Sequence, residues 1–125
     1  MSALQDSRIT EQHNAIEHMI SDIEALGDRA VDRARVSKML SVFMKLAGSY
    51  FDNEEKVMMT KGYRPLPSHR SDHRRIIETL ELIIQVCCDD SLPISNDIGG
   101  RIRELMDEHI KTYDKSMMSY LDKIG

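Results

Sequence analysis

Seven side chains able to bind a metal or hold a proton recur at helical spacing along this chain: His13, Tyr50, Glu54, His69, His73, His109 and Asp114. His69 and His73 are four residues apart, so on a helix they share one face with about 6 Å of rise between them, a two-imidazole clamp for one ion. Tyr50 and Glu54 repeat that spacing. His109 and Asp114 are five apart, which rotates them about 140° around a helix axis. They are therefore expected to flank the inward face, the carboxylate reaching a different atom from the imidazole. Burying so many ionisable groups in a small core is unfavourable unless they pair or bind metal. The donors are imidazole and carboxylate without thiolate. Four imidazoles and two carboxylates exceed the four ligands of a tetrahedral zinc site. They suit two ions joined by carboxylate bridges, and mixed nitrogen and oxygen donors suit iron or manganese. A single inward histidine is more often a hydrogen-bonded core residue than a ligand, so the metal reading rests on the convergence of all four segments.

These residues need elements that bring them together. Ile9, His13, Ile16, Ile20 and Ile23 keep one helical face and predict a first helix from about Ser7 to Leu26, ended by Gly27 and Asp28. A second is expected from about Asp32 to Thr60, with Val36, Leu40, Phe43, Ala47, Tyr50, Glu54 and Val57 inward. Gly62, Pro65 and Pro67 then predict a loop. The third helix is expected to start near Ser68 as N-cap, with His69, His73, Ile76, Leu80, Ile83 and Cys87 inward. After a break around Pro93, a fourth is expected from about Asn96 to Leu121, with Ile98, Ile102, Leu105, His109 and then Thr112 or Tyr113 inward. Gly99 and Gly100 weaken its first turn. Short connections between four helices predict an all-α, antiparallel up-down-up-down four-helix bundle, residues 1–125 forming a single domain. In that topology the metal-capable residues of all four helices fall toward the same end, in one layer of the core. His18 lies off the inward stripe and reads as a surface histidine.

Composition narrows the function. The chain has 125 residues, a net charge of −4 with both signs interspersed, nine Met, two Phe and no Trp. That fits a mostly helical protein. No basic block points to nucleic acid, and no apolar run or leader pattern points to a membrane or to secretion, so a cytoplasmic location is expected. The only cysteines, Cys87 and Cys88, are adjacent and read as reduced thiols, one of them buried. Glu-x-x-His, which the ferritin-like carboxylate bundles need on two helices, does not occur, nor does His-Glu-x-x-His.

Four segments together resemble the hemerythrin family of non-haem di-iron bundles. Glu11-Gln12-His13 is similar to its Gln-His motif, and Tyr50-Phe51-Asp52-Asn53-Glu54-Glu55 to its His-Phe-x-x-Glu-Glu. His69 to His73 is similar to its His-x-x-x-His, and His109-Ile110-Lys111-Thr112-Tyr113-Asp114 to its His-Ile-x-x-x-Asp. The resemblance implies two iron ions (Fe2+/Fe3+), bridged by carboxylates and an oxo or hydroxo group. His69, His73 and His109 would hold one iron and His13 the second, with Glu54 and Asp114 bridging. Phe51, Met106 and Ile110 would line an apolar pocket beside the second. Three departures stand out: Tyr50 replaces a ligand histidine, Leu105 a usual Trp, and Thr10 a common Asp. Tyr50 can act in two ways. It can ligate as phenolate, the metal displacing a proton whose reference pKa is about 10, or it can stay protonated as a hydrogen-bond donor.

The expected function is binding or sensing of dioxygen, or of another small diatomic or peroxide ligand. No catalytic base or nucleophile is evident beside the site. A di-iron redox enzyme handling peroxide or nitric oxide is the alternative, and a zinc-binding or metal-free helical bundle the blandest reading. The resemblance also leaves room for a signalling partner or a fused output domain.

Overall fold

The computed structural model describes residues 3–25, 33–89 and 98–124, with side chains from Ile9 onward. Helix α1 spans Ala3–Glu24, α2 Arg33–Thr60, α3 Leu66–Cys88, α4 Ile98–His109 and α5 Lys115–Ile124. A π-helical turn, Ile110–Asp114, joins α4 to α5 without a break, so the two form the fourth rod of an all-α four-helix bundle. The expected ends at Leu26, Gly27, Asp28 and Asp32, and the break around Pro93 and Asn96, lie outside the described residues.

Cross-helix bonds set the topology. Gln12 on α1 meets Asn53 and Ser49 on α2. Arg33 at the start of α2 donates to the carbonyls of Val86 and Asp89 at the end of α3, while Glu55 and Arg70 pair near the opposite end. Glu24 at the end of α1 binds Arg103 on α4. Each neighbouring pair is thus antiparallel. Ile16, Ile20, Leu40, Phe43, Ile76, Leu80 and Ile102 are fully buried along the shared axis, each contributing about 1.5–3 kcal/mol by leaving water.

Two helix ends hold the bundle's geometry. At the end of α2, Tyr63 N–H bonds Met58 O and Gly62 N–H bonds Met59 O, the paired closure of a Schellman motif. Gly62 takes φ +67 there, a backbone angle glycine accepts without strain. Tyr120 on α5 donates to Lys61 O, tying the fourth rod to this turn. The third helix starts earlier than expected: Pro65 occupies its N-cap, Pro67 lies in the first turn, and Ser68 is not a cap. Proline has no N–H to lose in a first turn, so the residue read as a loop former is helical.

The inward faces largely match the apolar spacing, with shifts. Ile83, Leu105 and Ile98 are only partly buried, whereas Met58, Met106 and Met117 are fully buried. Gly99 does more than weaken a turn. A Cβ there would sit 2.5 Å from Glu24 Cα and 2.7 Å from Glu24 N, so the glycine lets α4 touch the backbone of α1. Gly99→Ala gains about 1 kcal/mol of helix propensity but forces overpacking that costs about 1–3 kcal/mol. The expected result is a lower urea midpoint; a higher one would mean that the two backbones do not meet there.

Candidate metal centre

Four stretches of chain converge at one end of the bundle. Tyr50, Phe51 and Glu54 come from α2, His69 and His73 from α3, His109 from the last residue of α4, and Asp114 from the last residue of the π turn. The turn corrects the expectation for His109 and Asp114. An ordinary helix would rotate them about 140° apart. The π turn absorbs the extra residue, with Lys115 N–H bonding Ile110 O, and brings both side chains to the same point: His109 Nε2 lies 2.9 Å from Asp114 Oδ1. The same turn carries the inward face on to Met117 and Leu121, leaving Thr112 exposed and Tyr113 partly buried. Single π turns inside α-helices often mark functional sites.

His69, His73, His109, Glu54 and Asp114 are all buried, and one donor atom of each lies within 4.8 Å of all the others. Glu54 Oε1 is 3.1 Å from His73 Nε2, 3.5 Å from His69 Nε2 and 3.8 Å from His109 Nε2. Asp114 Oδ1 is 2.9 Å from both His69 Nε2 and His109 Nε2. Hydrogen bonds satisfy only part of this cluster: His69 Nε2 pairs with Asp114 Oδ1 and His73 Nε2 with Glu54 Oε1. The approach of His109 Nε2 to Asp114 lacks hydrogen-bond alignment, and among the described residues His109 Nε2, Glu54 Oε2 and His69 Nδ1 are buried without a partner. Such orphans are unfavourable by about 1–3 kcal/mol each. Of these atoms His109 Nε2 faces the shared point, where a cation would meet one donor atom of each of the five groups; their spread approaches the roughly 4 Å separating ligands about 2.1 Å from one ion. The residues present therefore fit a metal.

Each carboxylate uses one oxygen in this cluster and keeps the other outside it. Asp114 Oδ2 accepts a 2.7 Å hydrogen bond from the Tyr50 hydroxyl. Tyr50 in turn lies beside His13, their ring centroids 6.4 Å apart. His13 is half-buried and stands outside the five-residue cluster. It borders an apolar cavity of about 320 Å³ with Tyr50, Asp114, Ile9, Ile110 and Met118. Of the three residues expected to line an apolar pocket, Ile110 alone lines this one. Met106 is fully buried in the core. Phe51 stacks flat on His73, centroids 4.0 Å apart and planes 10° apart. His18 is exposed, as its position off the stripe implied; Cys87 is buried and Cys88 exposed, both as free thiols.

Two carboxylates and one ring contribute beyond the expected ligands. Asp72 Oδ2 lies 2.6 Å from His109 Nδ1, and Glu55 Oε2 lies 2.8 Å from His73 Nδ1. Tyr113 stacks on His109 with an interplanar angle of 18°. Asp72 sits three residues after His69 on the inward side of α3, a spacing that could have flagged it. Glu55 stands within the Glu-Glu motif but had no role assigned.

Charge is concentrated here. Burial opposes ionisation of Glu54, but the neighbouring imidazoles of His109, His69 and His73 outweigh it and hold the carboxyl well below its usual range. Burial likewise opposes protonation of His109, and the carboxylates of Asp114, Glu54 and Asp72 overcome it, raising the group to about 10. His69 is raised by Asp114 and Glu54 in the same way. Burial, then the charges of Glu54 and Asp114, push the Tyr50 phenol upward, so with no cation present it keeps its proton.

Comparison with known proteins points to a cation-binding family. A family model described as the hemerythrin HHE cation-binding domain matches residues 5–121. Myohemerythrin of Theromyzon tessulatum is 27% identical over 107 residues, covering 86% of this chain and 78% of that protein. Bacteriohemerythrin of Methylococcus capsulatus is 23% identical over 108 residues, covering 84% and 79%. No solved structure matches this chain.

The electrostatics give a signed prediction. Without metal, His69 and His109 hold protons that a cation must displace. Metal uptake at pH 7 should therefore release protons, and apparent affinity should rise with pH as His109 approaches its raised value of about 10. Cobalt(II) titration in weakly buffered solution at pH 6, 7 and 8 checks this. PH-independent affinity with no proton release would contradict the assignment of these imidazoles.

Proposed function

Because this chain belongs to the hemerythrin family, we propose that it is a cytoplasmic non-haem di-iron protein, residues 1–125 forming one domain, that binds or senses dioxygen or a related small molecule. The observation that carries this reading is the buried convergence of His69, His73, His109, Glu54 and Asp114, with polar atoms that hydrogen bonds leave unsatisfied. In this reading the three imidazoles hold one iron. His13 and Tyr50 would serve the second, and Glu54 and Asp114 would contribute carboxylates to both. Bound iron supplies a redox-active Lewis acid for the small ligand.

The chain's own residues do the rest. Ile9, Ile110 and Met118 wall the cavity beside His13 and Tyr50 with apolar surface, which favours a small neutral ligand over water. Phe51 and Tyr113 clamp the rings of His73 and His109 by stacking. The Tyr50 hydroxyl either gives up its proton to ligate or keeps it and donates to Asp114. Its 2.7 Å contact with Asp114 Oδ2 supports a role beside the second position in both cases.

One observation favours a second reading, redox turnover of peroxide or nitric oxide. A phenol that donates a hydrogen bond to Asp114 borders the cavity where the family pattern has an imidazole. Visible spectra of the purified protein and of Tyr50→Phe decide the role of Tyr50. The expected result is a phenolate-to-iron charge-transfer band that disappears in Tyr50→Phe. An unchanged spectrum assigns Tyr50 as a hydrogen-bond donor, and a colourless, iron-free protein overturns the proposal. Clean cycling between oxygen-free and oxygen-bound spectra supports binding, whereas peroxide turnover far above that of free iron supports the enzyme.

A further inference from the structure

Two of the three clustered imidazoles are held from behind by carboxylates that do not reach the metal position. Glu55 on α2 bonds His73 Nδ1 on α3 at 2.8 Å, and Asp72 on α3 bonds His109 Nδ1 on α4 at 2.6 Å. Both bonds therefore cross between helices. Each carboxylate gives its other oxygen to an arginine at the protein surface. Arg70 Nε donates to Glu55 Oε1 and Arg75 Nε to Asp72 Oδ1, both at 2.8 Å. The result is two parallel chains, Arg70–Glu55–His73 and Arg75–Asp72–His109, running from solvent to the centre of the cluster. Such pairing is not a default of packing here. His69 Nδ1 is just as buried and has no hydrogen-bond partner among the described residues.

We propose that Glu55 and Asp72 are positioning residues that fix the orientation, tautomer and donor strength of His73 and His109 toward a metal ion. Accepting the Nδ1 proton leaves the Nε2 lone pair facing the shared point and locks the ring against rotation. A carboxylate behind an imidazole also pushes electron density toward the metal, strengthening the bond and favouring the more highly charged ion. The arginines complete the device. Two additional carboxylates so near Glu54 and Asp114 would repel them, and Arg70 and Arg75 offset that charge while staying partly solvated. Charge at the ligands is thus raised without leaving the outer carboxylates unpaired.

This inference rests on reading the three imidazoles as metal ligands, and its test separates the two ideas. The probe is cobalt(II), its affinity measured by chelator competition and its coordination by the d–d absorption band. Asp72→Asn and Glu55→Gln keep size and a hydrogen-bond acceptor but remove the charge. Each should weaken cobalt binding about 10–100-fold, alter the d–d band, and raise the midpoint potential of the iron-loaded protein. A merely structural role would move the melting temperature but leave the potential where it was. If Asp72→Asn fails to fold, Glu55→Gln, at a half-buried position, decides alone. Binding within about twofold of the parent, with unchanged band and potential, would overturn the inference. A parent protein that binds no cobalt would instead overturn the ligand reading itself.

Discussion

Everything in this fold is arranged around the burial of opposite charges at one end of a helical bundle. Glu54 and Asp114 are carboxylates with almost no access to water, and three imidazoles press against them. Removing such groups from solvent costs several kcal/mol per ion unless their partners are well placed. The partners come from three different helical rods, so no segment can satisfy the cluster alone. The apolar layers of Ile16, Ile20, Leu40, Phe43, Ile76 and Leu80 supply the driving force that holds the polar layer together.

The polar layer remains incompletely satisfied by protein groups. Imidazole nitrogens and carboxylate oxygens crowd one point, and His109 Nε2 there has no hydrogen-bond partner. Protons on His69 and His109 relieve part of this repulsion, and a cation would relieve more. Stability and binding are therefore coupled: the groups whose burial is unfavourable on their own are those that a metal would satisfy. The stacked rings of Phe51 and Tyr113 and the carboxylates of Glu55 and Asp72 narrow the freedom of the imidazoles, so little is lost in ordering them when an ion binds.

Much of this was legible in the sequence because helical periodicity reports burial directly. Ile16, Leu40, Phe43 and Ile76 mark their faces by type, and a histidine or glutamate falling in the same stripe must be buried with them. The antiparallel order then brings His13, Glu54, His73 and His109 to one end. The π turn was not legible. Residues 110–114 carry no compositional sign of i→i+5 bonding, and an ideal helix put His109 and Asp114 on different faces. Asp72 and Glu55 were missed for a related reason. Glu55 looks like part of the solvated face, and Asp72, though its spacing after His69 turns it inward, shows a partner only where the helices cross and each carboxylate reaches an imidazole on the next rod. Gly99 carried its packing role invisibly, since contact with the Glu24 backbone depends on a partner 75 residues away.

A metal centre and a self-contained salt-bridge network differ in how they respond to a chelator. The most direct test is the iron content of the purified protein, measured together with its melting temperature before and after removal of metal by a chelator. A metal centre gives about two irons per chain and a melting temperature that falls by many degrees when they are removed and recovers when iron is restored. Protein that contains no iron, binds none on addition and melts at the same temperature with or without chelator would contradict it.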